Sequence, residues 1–171
     1  MSTIVILVLA MSMLVLGLVL VKTIFKGASS SVDTIDKKLE GEINKLFSED
    51  KKLVIHLPNS IAEIDSGEPF GVAFGIQNSG QSGNFEWDVE LADTRVNEKC
   101  GISNQQAENW ISTGGKDTID IPSGDSHTDI VFFNIPEGQV TDISTCLVRF
   151  KMVVTRDGSP YETGSFNVQV R

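Results

Sequence analysis

Phe85-Glu86-Trp87-Asp88-Val89-Glu90-Leu91 alternates apolar and acidic side chains without a break. Successive side chains of a strand point to opposite faces, so Phe85, Trp87, Val89 and Leu91 share one face and Glu86, Asp88 and Glu90 the other. The stretch predicts a half-buried strand. Its indole belongs in a core rather than stacked on a carbohydrate, because its neighbours at period two are all apolar.

The same reading extends in both directions. Leu53, Ile55 and Leu57 form an apolar face against Lys52, Val54 and His56, and Pro58-Asn59-Ser60 turns the chain into a short strand at 61–64. Further strands are expected at 70–77, 85–91, 118–121, 128–134, 145–155 and 161–170, separated by Gly, Asn, Asp or Pro clusters. The surest hairpin joins the last two, because Arg156-Asp157-Gly158-Ser159-Pro160 carries turn chemistry between two β-rich runs. Seven or eight short strands at this spacing predict an all-β immunoglobulin-like antiparallel sandwich over residues 51–171. One helical insertion is expected at 103–111, where Ser103 and Gln106 have capping-box spacing and Ala107, Trp110 and Ile111 share a face.

Upstream the pattern changes. Residues 4–21 run for 18 positions with only Ser12 and Gly17 interrupting the apolar side chains. As a helix this run would be about 27 Å long, and Lys22 can snorkel so that Thr23, Ile24 and Phe25 extend it towards the thickness of a bilayer. Residues 1–26 are therefore expected to form an N-terminal hydrophobic helix that sits in a membrane or in the core of a filament. Ala10, Ser12 and Gly17 are its candidate helix-packing positions, since small residues let backbones approach closely. No Lys or Arg precedes the run, which argues against a cleaved secretory leader. Residues 27–50 are expected to be an amphipathic helix or linker, with Ile35, Leu39, Ile43, Leu46 and Phe47 as a stripe to lay on another surface.

Charge and chemistry narrow the function. From Gly27 onward, 12 Lys and Arg face 23 Asp and Glu, a balance of −11 that excludes nucleic acid as a partner. Cys100 and Cys146 form neither a C-x-x-C motif nor a pair with a nearby histidine, so outside the cytoplasm they are expected to form a disulfide. Lys22 and Lys26 follow the apolar run, and the positive-inside rule alone would place the following domain in the cytoplasm. The acidic sandwich and the expected disulfide favour the outside, and that is the reading adopted. His56 reads as a polar-face strand residue and His127 as a loop residue rather than as catalytic bases. Asp65, Glu68 and Asp125 read as solvated turn residues, because they lack the dense alternating oxygen ligands of a calcium loop. No catalytic motif is present, and neither an enzyme nor a cofactor nor a metal is expected. Trp110 is expected to cover one end of the sandwich or to mark a binding rim.

An apolar N-terminal run, an amphipathic continuation and a C-terminal sandwich together resemble archaeal type IV pilin-like proteins, including archaellum-associated subunits. The resemblance covers the whole chain and rests on architecture. It implies a structural subunit of a cell-surface filament, with residues 4–25 packed against copies of themselves as the core and residues 51–171 as the outer domain. Such a subunit is anchored in the membrane before assembly. The alternative is a single-pass membrane-anchored module that displays a binding or stator domain, with a surface protein or a glycan as its ligand.

Overall fold

The computed structural model describes Met13, Gly41, Ile43, Phe47 and residues 51–140 and 146–171. The chain divides into two compact units, Met1–Gly41 and Glu42–Arg171. In the second unit nine strands build two sheets. The four-stranded sheet has the order β1 (Leu53–His56), β3 (Pro69–Gln77), β7 (Ser126–Asn134) and β5 (Ile111–Thr113). The five-stranded sheet has the order β2 (Ile61–Ile64), β9 (Ser159–Val170), β8 (Leu147–Arg156), β4 (Gly83–Leu91) and β6 (Lys116–Ile121). All pairings are antiparallel except that of β2 with β9.

One core joins the sheets, and alternation decides its members. Val72, Phe74 and Ile76 of β3 are fully buried, as are Phe85 and Val154 opposite them in the other sheet's strands, and Trp87 is 1% exposed. Phe133 of β7 meets Phe150 of β8 and Phe166 of β9 edge-on, with centroids 5.2 and 5.8 Å away, so the aromatic centre bridges both sheets. Burial of each such side chain contributes about 1.5–3 kcal/mol.

Every connection except the β8–β9 hairpin carries the chain from one sheet to the other, and the crossings after β1 and after β5 are tightly turned. After β1, a short 3-10 turn at Pro58–Ser60 holds Asn59 and Ser60 at φ 54° and 57°, and the chain leaves the four-stranded sheet to run beside β9. After β5, Gly114 at φ 73° turns the chain towards β6; a Cβ there would lie 2.3 Å from the carbonyl oxygen of Ile130, so only glycine fits. The crossing is tied down from the core side, where Trp87 Nε1 donates to Gly114 O at 3.1 Å and Val89 N to Gly115 O at 2.7 Å. The β8–β9 hairpin closes through Asp157 and Gly158, both at positive φ, as its Asp-Gly sequence demands.

The helices need correction. The fold class expected from sequence began with an N-terminal hydrophobic helix and an amphipathic helix, whereas the described chain is mostly strand in two sheets with two five-residue helices, α1 (Val96–Cys100) and α2 (Asn104–Glu108), and single helical positions at Met13, Gly41 and Ile43. Among the described residues no helix is long and apolar enough to cross a membrane. The physical reason is that an apolar composition reports which solvent a segment avoids, while conformation is set by backbone partners that composition does not name. The rest of residues 4–25, with Ala10, Ser12 and Gly17, lies outside the described residues; so do 27–50 apart from Gly41, Ile43 and Phe47. The expected insertion at 103–111 is shorter than expected: α2 starts on the Ser103–Gln106 capping box, and Ile111 already belongs to β5.

Candidate functional site

The open face of the four-stranded sheet is made of small residues along its central strand. Because Val72, Phe74 and Ile76 point inward, Gly71, Ala73 and Gly75 point out, and they form a trough. The register sets Val54 and His56 of β1 on one side of it and Thr128, Ile130 and Phe132 of β7 on the other. Ile43 and Phe47 lie in the trough over Gly75. A Cβ on Gly75 would sit 2.5 Å from Ile43 Cγ2 and 2.8 Å from Phe47 Cζ, so the missing side chain is what lets this pair approach the sheet. Ile43 is fully buried, and Gly41 and Ile43 are helical. Two residues of the stripe expected at 27–50 thus rest on the sandwich.

The opposite open face is polar. Asp88 and Glu86 of β4 accept from the Lys116 ammonium at 2.8 and 3.2 Å, and Glu90 pairs with Lys151 of β8 at 2.8 Å. The two carboxylates, Asp88 first and then Glu86, raise the Lys116 pKa above its ordinary value. Beyond this face, Cys100 at the end of α1 and Cys146 just before β8 form the expected disulfide, with Cα atoms 4.6 Å apart. Closing this loop stabilises the fold by about 4 kcal/mol on the chain-entropy view.

The remaining candidates separate into core and loop. Trp110 is fully buried and its Nε1 donates to Gln139 Oε1 at 2.8 Å, so it is not a binding rim. His127 stands in β7 rather than in a loop, with its ring 5.7 Å from that of Trp87. His56 ends β1. Asp65 and Glu68 flank a tight turn, and among the described residues no three His, Cys, Asp or Glu side chains are grouped to hold a metal ion. A cleft of about 330 Å³ opens beside the first crossing, lined by Pro58, Asn59, Ile61, Glu63 and Phe70, with no nucleophile–base pair in it.

One polar residue was invisible to the sequence reading. Asn78 is fully buried; its amide nitrogen donates to the carbonyls of Gln81, Ile121 and Pro122 at 2.8, 2.9 and 3.1 Å, and its side-chain oxygen accepts from Gly80 N at 3.0 Å. It holds two loops together. In the sequence it is one Asn of Asn78-Ser79-Gly80, a run that reads only as a turn.

No family model matches the chain, and no curated protein matches it. Among solved structures it is similar to the periplasmic chaperone SfaE, with 10% identity over 70% of this chain and 56% of that one and a TM-score of 0.40. It is also similar to the alkylpurine DNA glycosylase AlkC of Pseudomonas fluorescens, 12% identical over 69% of this chain and 30% of that one, TM-score 0.33. A family 123 glycoside hydrolase from Clostridium perfringens is 12% identical over 64% of this chain and 22% of that one, TM-score 0.38. The chain therefore spans just over half the length of the first of these and less than a third of the others. Likeness at this level bears on neither function nor partners.

Proposed function

We propose that the protein is a non-enzymatic structural subunit of a cell-surface assembly, in which the two-sheet domain is the outer part. The apolar stretch 4–25 holds it to the membrane before assembly and to copies of itself afterwards. The observation that carries this reading is the seating of Ile43 and Phe47, at the start of the outer unit, on the trough over Gly75, which gives that unit a covered apolar face. The Cys100–Cys146 bridge supports an oxidising compartment and hence an outside location. The immunoglobulin-like form of the sandwich is supported by the way its first strand is shared, β1 with the four-stranded sheet and β2 with the five-stranded one.

The test is electron microscopy of native surface material together with cross-linking through cysteines introduced as Ala10→Cys, Ser12→Cys and Gly17→Cys. Filaments or sheets that contain the protein, with cross-links between copies, are expected. Extraction by detergent as a monomer without cross-links would leave a membrane-anchored display module as the better account.

A further inference from the structure

The loop after β4 and the outer face of β8 and β9 enclose a polar pocket of about 270 Å³, lined by Asp93, Thr94, Arg95, Lys99, Arg149 and Asn167. Among the described residues three cations here face one acid, in a chain whose net charge is −9. Elsewhere among the described residues the cations of ion pairs sit on surface carboxylates, as Lys116, Lys151 and Arg171 do. The one carboxylate among the pocket's described residues is already engaged. Asp93, with its side chain 7% exposed, accepts from the Lys99 ammonium and from the Arg95 backbone N–H at 2.9 Å. That pairing cancels one positive charge and leaves the guanidinium groups of Arg95 and Arg149, neither of which makes an ion pair among the described residues.

We infer that this pocket is a binding site for a small, doubly charged oxyanion, either a phosphate group or a dicarboxylate. Two guanidinium groups supply forked N–H donors that match the oxygens of such a ligand, and the charge of +2 that the described lining residues leave after the Lys99–Asp93 pair matches a dianion better than a single carboxylate. Asn167 sits directly opposite Arg149 across the β8–β9 ladder, which places a neutral amide beside the second arginine. The walls are held at a fixed separation. Lys99 is bonded to Cys100 and Leu147 to Cys146, so the disulfide joins the α1 side of the pocket to the β8 side, and Lys99 Nζ also reaches Leu147 O at 3.3 Å. Walls that are already fixed leave only the two arginine side chains to be ordered on binding. The reading stands on this geometry alone and does not depend on the proposed function.

Calorimetry and NMR titration of the purified full chain with inorganic phosphate, succinate and acetate test it. Saturable binding of phosphate or succinate is expected at about 1 mM or below, at least tenfold tighter than acetate, and weaker as salt rises. Whichever dianion binds more tightly names the ligand class. Arg95→Ala and Arg149→Ala should each weaken binding tenfold or more, while Lys151→Ala, on the same outer face but away from the pocket, should change it less than twofold. Both arginines are exposed, so the variants are expected to fold as the parent does, and circular dichroism checks that they do. Failure of both dianions to bind saturably overturns the inference, as does unchanged binding in the Arg95→Ala, Arg149→Ala double variant.

Discussion

The two open faces of the sandwich are built from opposite materials. On the five-stranded sheet, cross-strand neighbours are charged pairs such as Glu90 with Lys151 and Asp88 with Lys116, directly opposite each other in the register. On the four-stranded sheet, the central strand offers Gly71, Ala73 and Gly75, flanked by Val54, Ile130 and Phe132. A strand that ends in charge on one side is finished by water. A strand that ends in glycine and alanine is finished only when something else brings the side chains, and here Ile43 and Phe47 do so. One face of this domain therefore belongs to solvent and the other to Ile43 and Phe47 at the start of the same unit.

The sharpest way to break that comparison is to remove the cover. Ile43→Ala should destabilise the Glu42–Arg171 unit by about 2–4 kcal/mol, the usual cost of truncating a fully buried aliphatic side chain. Gly75→Val should cost about 1–3 kcal/mol from the other side of the same contact, because the new side chain must displace Ile43 and Phe47. Urea unfolding of the full chain measures both. Hydrogen exchange should show the amides of β1 and β3 losing protection in each variant while those of β4 and β8 keep it. If Ile43→Ala costs less than about 0.5 kcal/mol, the residue behaves as a surface position and the two faces are not different in kind.

A smaller effect is expected at Asp93, on the rim of the charged face. Burial pushes its carboxyl up, but the Lys99 ammonium, the backbone N–H groups of Arg95 and Arg149 and the Lys99 charge together outweigh burial and hold it below its ordinary value of 3.8. A carboxyl lowered in the folded state stabilises the fold at every pH above its unfolded value, and that contribution disappears as pH falls through the folded one. Asp93→Asn should therefore cost about 1–3 kcal/mol near neutral pH, the range for a hydrogen bond to a charged group. The gap between variant and parent should close as the pH is taken from about 4 downward. Thermal melts of both proteins across this range decide it, and a gap that stays constant with pH would show that the cost is one of shape rather than of charge.

What could be read in the sequence divides along the same line. Inward-facing positions were legible in Phe85–Leu91, where alternation is a direct record of a buried face, and the capping box at Ser103 recorded the start of α2; in β1 the buried residue is Val54, which alternation places on the polar face, while Leu53 and Ile55 are half-buried. The trough was not. Gly71 and Gly75 carry no side chain, and a glycine in a strand announces a close approach without saying what approaches. β5 was missed because three residues with one apolar position hold no period, and its ladder to β7 shifts register between Ile111 and Thr113. α1 was missed for a similar reason, since five residues are too few to show a helical repeat. The step from β5 in the four-stranded sheet to β6 in the five-stranded one depends on Gly114 fitting against Ile130, a contact between residues well apart in sequence. The Cys100–Cys146 bridge was legible for the opposite reason: with two cysteines there is one possible pairing.

The smallest effect sharpens the comparison from the solvent side. Glu90 and Lys151 make a good pair by distance, at 2.8 Å, and they occupy directly opposed positions on neighbouring strands. Both side chains are nonetheless close to half exposed, at 48% and 40%. Water screens their attraction, and fixing two long side chains costs rotamer freedom, so exposed pairs of this kind contribute less than about 1 kcal/mol. Glu90→Gln, Lys151→Met and the double variant, compared by urea unfolding at low and at moderate salt, should give a coupling energy of about 0.2–1 kcal/mol that falls as salt is added. A coupling above about 2 kcal/mol, insensitive to salt, would mean that this face is shielded from water as the trough is, and the distinction between a face finished by solvent and a face finished by the chain would have to be given up.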